Sequence, residues 1–166
     1  MYIQTPQLVI GPIGEADRAN VIALLTDEVV AQTYMVPDFQ SEEQKEKLFQ
    51  RIQKLSHSDS FYQAGIFLNG GFIGLVNETC REGDSIEVGY AILPAYHNRG
   101  YGTEMLAAVM EKLFADGFGE IVAGAFKENA ASLRIMEKCG MRRIDRTDAI
   151  EYRGKVHTCV YCVRRA

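Results

Sequence analysis

The sequence contains no apolar run near the roughly 20 residues that a helix needs to span a bilayer, so we expect no membrane-spanning segment. Its first ten residues, MYIQTPQLVI, lack a basic stretch followed by a long apolar one. We therefore expect no secretory signal and place the protein in the cytoplasm.

An excess of positive charge is also missing. The chain has 18 Lys+Arg against 22 Asp+Glu, a formal net charge of −4. Broad binding to nucleic acid or to an anionic membrane needs a basic field, so the composition argues against both. One local basic pocket for a phosphorylated ligand remains compatible with this charge.

Metal-ligand spacing is absent. The cysteines are Cys80, Cys139, Cys159 and Cys162, and the histidines are His57, His97 and His157. Cys159-x-x-Cys162 is compatible with a redox or zinc half-site, but it lies in an alternating stretch where residues three apart point to opposite faces. This favours buried free thiols, and we expect no metal.

What the chain does contain is a regular succession of strands and helices. Its 166 residues predict one domain with a substantial core. Predicted strands cover residues 5–10, 61–68, 72–80, 85–93, 120–126, 141–152 and 155–164. Predicted helices cover residues 15–27 and 41–57, a third starting at Gly102 or Thr103 and ending before Asp116, and 129–139.

Two short signals fix local structure. Asn69-Gly70 between strand patterns predicts a tight hairpin, because both central residues of a type I′ turn need positive φ. Ser41 with Gln44 three residues later has the spacing of a helix capping box. The segment from 85 to 126 reads strand–helix–strand and predicts a right-handed crossover onto a parallel neighbour.

The most informative stretch is the turn between the strand at 85–93 and the following helix. It comprises Asn98, Arg99, Gly100, Tyr101, Gly102 and Thr103. Glycines let backbone N–H groups approach an anion, a helix start adds further N–H donors, and an arginine adds a charge-assisted bond. The sequence therefore predicts a pyrophosphate site, although a plain helix-start turn is the alternative.

Two common phosphate motifs do not fit this turn. The third glycine of a dinucleotide-binding fingerprint is missing, and the preceding strand ends a meander instead of opening the domain. No Gly-Lys-Ser/Thr follows, which excludes a Walker loop.

The run His97-x-x-Gly100-x-Gly102 resembles motif A of the GNAT superfamily of acetyl-CoA-dependent N-acetyltransferases, which reads Gln/Arg-x-x-Gly-x-Gly/Ala. His97 departs from the family at the Gln/Arg position. Residues 128–132 (ENAAS) and 138–141 (KCGM) are similar to the N-x-x-S…K-x-G-F signature of the ribosomal-protein acetyltransferase (RimJ/RimL) group. The resemblance covers essentially the whole chain and is loose before residue 61.

This resemblance implies an α+β fold in one domain over residues 1–166. Its seven-stranded mixed sheet would be flanked by about four helices and splayed between the strands at 85–93 and 120–126. The pantetheine arm of acetyl-CoA would enter the splay and pair with a strand. The implied cofactor residues are Ala91, Ile92, Leu93, His97, Asn98, Arg99, Gly100, Tyr101, Gly102, Thr103, Asn129 and Ser132.

Three residues are candidates for the chemistry, each with a structural alternative. Ser132, by resemblance, would protonate the departing thiolate, or it is an ordinary hydroxyl of the first helical turn. Glu151, by resemblance, would deprotonate the amine, or it is an exposed strand-end carboxylate. Glu87 is a rival base that could equally pair with Arg81 or Arg99. Asn129 is an expected N-cap as well as a cofactor ligand.

The function so implied is direct acetyl transfer to a primary amine, either a peptide α-amine or a small molecule, with no metal and no nucleic acid. Acceptor recognition is expected at Tyr34, Met35, Phe39 and Tyr152. The protein would act as a monomer or homodimer. A degenerate acyl-CoA-binding regulator is the alternative from another class, and an unrelated α+β domain without cofactor is the third.

Overall fold

The computed structural model describes all 166 residues. Four α-helices are present: α1 Arg18–Thr26, α2 Glu42–Ser56, α3 Tyr101–Ala115 and α4 Ala130–Lys138. The strands are β1 Ile3–Gln4, β2 Leu8–Gly11, β3 Gln63–Leu68, β4 Gly71–Glu82, β5 Ser85–Ile92, β6 Glu120–Phe126, β7 Arg142–Tyr152 and β8 Lys155–Arg165. None of the helices is long and apolar enough to cross a membrane.

The strands form one mixed sheet in the order β1-β2-β3-β4-β5-β6-β8-β7. β5 and β6 run parallel, as the strand–helix–strand pattern predicts. β2–β3, β3–β4, β6–β8 and β7–β8 are antiparallel. The α+β fold class is therefore confirmed.

The sheet has eight strands, one more than predicted, because the N-terminal strand is divided. Pro6 cannot donate to a ladder, and Thr5 turns the chain there by bonding its N–H to the Leu8 carbonyl at 2.9 Å. The two-residue β1 then pairs with β2 across this turn. The predicted continuous strand over residues 5–10 is wrong for this local reason.

The chain divides into two compact units. The first comprises Met1–Asn77 with Tyr90–Tyr101, and the second Glu78–Gly89 with Gly102–Ala166. The single domain expected over residues 1–166 stays a prediction.

In the first unit, α1 and α2 bury their apolar stripes in one core. Val21 and Leu24 of α1 and Phe49 of α2 are fully buried, together with Phe72 and Leu75 of β4. Ser41 caps α2 as predicted, since its Oγ accepts the Gln44 N–H at 3.2 Å. The reciprocal bond differs by one residue, because Gln44 Oε1 accepts the N–H of Gln40 instead of that of Ser41.

In the second unit, α3 buries one face of Met105, Leu106, Val109, Met110 and Leu113. Phe114, next to Leu113 near the end of the helix, is half-buried. On β8, Cys159 and Cys162 are buried free thiols, as their strand alternation favoured, whereas Cys80 is exposed.

The hairpin predicted at Asn69-Gly70 is confirmed by its backbone, and a second turn of the same kind joins β7 to β8. Asn69 and Gly70 have φ of 51° and 80°, and Arg153 and Gly154 have φ of 50° and 74°. These are the values that a two-residue turn with the twist of a hairpin requires.

Gly74 on β4 lies directly against the backbone of Ala91 and Ile92. A Cβ there would overlap the carbonyl oxygen of Ala91 and lie 3.0 Å from the Cα of Ile92. Backbone atoms in a sheet cannot move aside as a flexible side chain can, so the position admits only glycine.

We predict that Gly74→Ala lowers the free energy of unfolding by about 3 kcal/mol, the upper range for overpacking. Gly71→Ala on the same strand is the control, because its Cβ would lie 3.5 Å from the Leu68 carbonyl, an ordinary contact. Urea denaturation of both variants checks this, and equal midpoints would contradict the steric account.

Candidate active site

The turn from β5 to α3 exposes its backbone over several consecutive residues. After a short helical turn at Pro94–Tyr96, His97, Asn98, Arg99 and Gly100 are all exposed. Asn98 and Gly100 have φ of 59° and 85°. A Cβ at Gly100 would meet no atom within 4 Å, so glycine serves the backbone conformation and leaves open space beside it.

The helix after this turn starts at Tyr101, one residue before the earlier of the two predicted starts. It is 15 residues long, so its first N–H groups carry the full positive end of the helix dipole. Arg99, just before it, makes no hydrogen bond or ion pair in the structure. The turn therefore offers backbone donors and an uncommitted guanidinium to an anion.

The hydrogen bonding of β5 decides which of its residues can meet a ligand. The Leu93 N–H donates to the Ile73 carbonyl at 2.8 Å and so points toward β4. Because peptide groups alternate along a strand, the N–H and C=O of Ile92 point to the opposite edge. Of the three residues predicted to pair with pantetheine, Ile92 presents its backbone there, and the N–H of Leu93 is already used.

The imidazole of His97 lies back against the end of this strand. Its Nε2 is 2.7 Å from the Ile92 carbonyl oxygen. A carbonyl oxygen only accepts, so Nε2 carries the hydrogen of this bond. The side chain at the Gln/Arg position of the motif is thus engaged with β5, and the backbone of the turn remains available.

The parallel ladder between β5 and β6 is short. It pairs Ser85–Val88 with Glu120–Ala123 and does not continue to Gly89 and Gly124. An early end of this ladder is what the expected splay requires.

Gly124 does not leave the open space that its size suggests. A Cβ there would lie 2.7 Å from the Tyr161 ring and 3.2 Å from the Cys159 sulfur. The ring of Tyr161 therefore packs directly on the β6 backbone. A glycine at position 124 therefore makes room for Tyr161 and not for a ligand.

Asn129 caps α4 as predicted. Its Oδ1 accepts the Ser132 N–H at 3.1 Å, and Ser132 itself is half-buried in the first turn of the helix. An asparagine amide has separate donor and acceptor atoms. The capping bond uses Oδ1, so a role of the Nδ2 donors toward a ligand is compatible with it.

The two candidate bases stand in different surroundings. Glu151 is exposed on β7 and lies opposite Val156 near the hairpin turn. Glu87 is half-buried, and each of its oxygens accepts a hydrogen bond. Thr79 Oγ1 lies 3.2 Å from Oε1, and Arg146 Nη1 lies 3.0 Å from Oε2.

The expected partners of Glu87 were wrong. Arg81 binds Glu78 instead, through Nε at 3.0 Å and Nη2 at 2.6 Å, and Arg99 makes no ion pair. Arg146 takes their place because β7 is irregular where this residue lies: the pairing with β8 shifts register between Arg143 and Thr147.

Sequence reasoning missed the residues around Arg146. Its guanidinium carbon is 3.6 Å from the centre of the Tyr161 ring, and Tyr161 donates its hydroxyl hydrogen to Asp148 at 2.6 Å. Burial, with the bond to Asp148, raises the pKa of Tyr161 and keeps it a donor. The one available signal was Gly124, since glycine inside a strand often marks a close approach.

The residues expected to bind the acceptor are distributed unevenly. In the first unit, Tyr34 and Phe39 pack against the core, and Met35 is 53% exposed. Tyr34 donates to Asn77 Oδ1 at 2.8 Å, and burial raises the pKa of its hydroxyl. In the second unit, Tyr152 lies 6.1 Å from Phe126, ring centre to ring centre. Tyr34 therefore has a structural task, whereas Met35 faces solvent.

Comparison with known proteins identifies a family for this chain. The sequence pattern of the acetyltransferase (GNAT) domain matches residues 7–142. The uncharacterized N-acetyltransferase YoaA of Bacillus subtilis is 25% identical over 147 residues, which are 85% of this chain and 82% of that protein.

Two solved structures superpose on this chain over nearly its full length. An acetyltransferase (GNAT family) from Bacillus anthracis superposes with a TM-score of 0.84 at 24% identity, covering 99% of this chain and 98% of that one. RimL, the ribosomal L7/L12 alpha-N-protein acetyltransferase in complex with coenzyme A, gives a TM-score of 0.87 at 18% identity, covering 99% and 98%. At these identities the likeness concerns the fold.

The cap of α4 gives a prediction that is independent of any ligand. We expect Asn129→Ala to lower the free energy of unfolding by about 1 kcal/mol, because the Ser132 N–H loses its acceptor. Asn129→Asp keeps an acceptor oxygen and is expected to stay within about 0.5 kcal/mol. Thermal melts of the three proteins check this, and an equal loss in both variants would contradict the capping role.

Proposed function

This chain belongs to the acetyltransferase (GNAT) family, and from that premise we propose that it moves an acetyl group directly from acetyl-CoA to a primary amine. The observation that carries the proposal is the exposed turn Asn98–Gly100, with its positive φ values, ahead of a 15-residue helix. Backbone donors of this kind suit a pyrophosphate.

The proposed cofactor contacts divide by chemistry. Arg99 and the backbone from Asn98 to Thr103 hold the pyrophosphate. Ile92, whose peptide groups point away from β4, pairs with the pantetheine arm as an added strand would. His97 contributes by holding the Ile92 carbonyl, with which it already shares a bond of 2.7 Å. In the second unit, the Asn129 amide is the proposed cofactor contact.

The proposed reaction needs no covalent enzyme intermediate. The uncharged amine nitrogen attacks the thioester carbon, and the resulting oxyanion accepts a hydrogen bond from the Ile92 N–H. The carbon–sulfur bond then breaks, the thiolate takes the proton of the Ser132 hydroxyl, and Ser132 regains a proton from water. The proton lost by the amine goes to Glu151 or Glu87, directly or through water.

The proposed acceptor is a peptide α-amine or a small-molecule amine. RimL, one of the fold neighbours, acetylates the α-amine of a ribosomal protein, as its name states, and a peptide acceptor is the corresponding proposal here. Met35, exposed in the first unit, and Tyr152 are the proposed acceptor contacts. We further propose a cytoplasmic enzyme acting as a monomer or homodimer.

The experiment that tests the function measures release of the CoA thiol from acetyl-CoA with a panel of diamines, amino acids and N-terminal peptides. Turnover with at least one class supports the proposal and names the acceptor. Tight binding of acetyl-CoA by calorimetry without turnover on any amine would favour an acyl-CoA-binding regulator. No binding at all would overturn both.

Ser132→Ala should lower kcat by about 100-fold or more, the usual contribution of a positioned acid, while the Kd for acetyl-CoA changes by less than about threefold. Steady-state kinetics and calorimetry measure the two quantities. Ser58→Ala, on an exposed hydroxyl bonded to Ser60 in the first unit, is the control. Equal losses of turnover and of affinity in Ser132→Ala would exclude a role as acid.

A further inference from the structure

The second unit contains a polar network that the proposed chemistry does not yet use. It joins Thr79 of β4, Glu87 of β5, Arg146 and Asp148 of β7, and Tyr161 of β8. Four strands thus send side chains to one cluster on one face of the sheet. Glu87 is its least exposed charged member, with 20% of its side chain accessible against 46% for Arg146.

Arg146 is held from three sides. Nη1 donates to Glu87 Oε2 at 3.0 Å, Nη2 approaches Asp148 Oδ2 at 3.5 Å, and the guanidinium lies 3.6 Å over the Tyr161 ring. A planar guanidinium can stack and donate in two directions at once, which an ammonium cannot. The side chain is therefore fixed in position although nearly half of it is exposed.

The groups that contact Arg146 are themselves held in place by other residues. The Tyr161 ring rests on the backbone of Gly124, where any Cβ would overlap it. The Tyr161 hydroxyl binds Asp148 at 2.6 Å, which keeps that carboxylate beside the guanidinium. Arg146 lies in the stretch of β7 where the pairing with β8 shifts register, between Arg143 and Thr147.

The Arg146–Asp148 pair contributes little to the folded state, because both side chains are nearly half exposed and water screens them. The network instead gives Glu87 one fixed orientation, with one oxygen on Thr79 and the other on Arg146. Fixed carboxylates supported by a surrounding shell of bonds are typical of functional sites.

We propose that Arg146 is a positioning residue, which orients Glu87 toward the acceptor amine, and that Tyr161 and Asp148 position Arg146 in turn. This inference rests on the proposed acetyl transfer. Glu87 lies on β5, and by alternation its side chain is on the same face of that strand as position 89. Of the two candidate bases, Glu87 is the one that the structure holds in place.

Arg146→Gln tests the proposal. We expect kcat/KM for the amine to fall by on the order of 10- to 100-fold, the cost of displacing a reacting group by about 1 Å, with the Kd for acetyl-CoA changed by less than about twofold. Arg146→Lys keeps the charge but not the stacked geometry, and should restore part of the loss. Tyr161→Phe keeps the ring, loses the bond to Asp148, and should give a smaller loss than Arg146→Gln.

Arg165→Gln is the matched control, because Arg165 also pairs with a glutamate across β8 and β6 (Nη2 to Glu120 Oε2, 2.8 Å) but lies outside the network. It should leave the kinetics unchanged. A loss in Arg146→Gln no greater than that in Arg165→Gln would overturn the proposal. The proposal would also be overturned if the acetyl-CoA affinity fell as much as kcat/KM and the melting temperature fell with it. Those results would indicate a purely structural role.

A crystal structure of Arg146→Gln supplies a readout that does not need turnover. We expect the Glu87 carboxylate to leave Thr79 Oγ1, and an unchanged Glu87 would overturn positioning by Arg146. If the wild-type protein acetylates no amine, the proposed function fails and this structure still decides whether Arg146 orients Glu87. If the wild-type protein is active and the variant matches it, only the positioning role fails.

Discussion

The hydrogen bond from the Leu93 N–H to the Ile73 carbonyl determines which backbone groups at the end of β5 face away from β4. It attaches the end of β5 to β4, and strand alternation then directs the peptide groups of Ile92 to the opposite edge. The bare glycine at position 74 allows this close approach, since a side chain there would overlap the Ala91 carbonyl. A strand fixed along one edge in this way can present the other edge to a ligand without losing its own pairing.

The turn that follows depends on the same strand end. His97 reaches back to the Ile92 carbonyl, while Asn98 and Gly100 take positive φ and α3 begins at Tyr101. The family pattern places a longer polar side chain at position 97. In this chain an imidazole bonds to the strand end instead, and the anion site that we propose consists of the backbone donors and Arg99.

The charged cluster of the second unit contains Glu87, Arg146 and Asp148 and includes no histidine. Cys159 lies beside Tyr161, and desolvation raises the pKa of its thiol, which disfavours a nucleophilic thiolate. Arg146 pairs with Glu87 and lies over Tyr161, so the cluster combines a cation, two carboxylates and a phenol. The exposed pair of Arg146 with Asp148 adds little to stability, and we propose that the network positions Glu87.

Features set by a few adjacent residues were determined by the sequence. These are the hairpin at Asn69-Gly70, the cap at Asn129 and the glycine turn at Gly100, because backbone conformation and capping depend on near neighbours. The motifs around these positions also indicated the family. Tertiary structure alone decided the partner of Glu87, the position of the His97 ring and the packing of Tyr161 on Gly124. The partner of Glu87 and the packing of Tyr161 depend on the register between strands distant in sequence, and one irregularity such as that before Thr147 changes which side chains meet. The His97 ring is placed by its bond to Ile92 across the turn that follows β5.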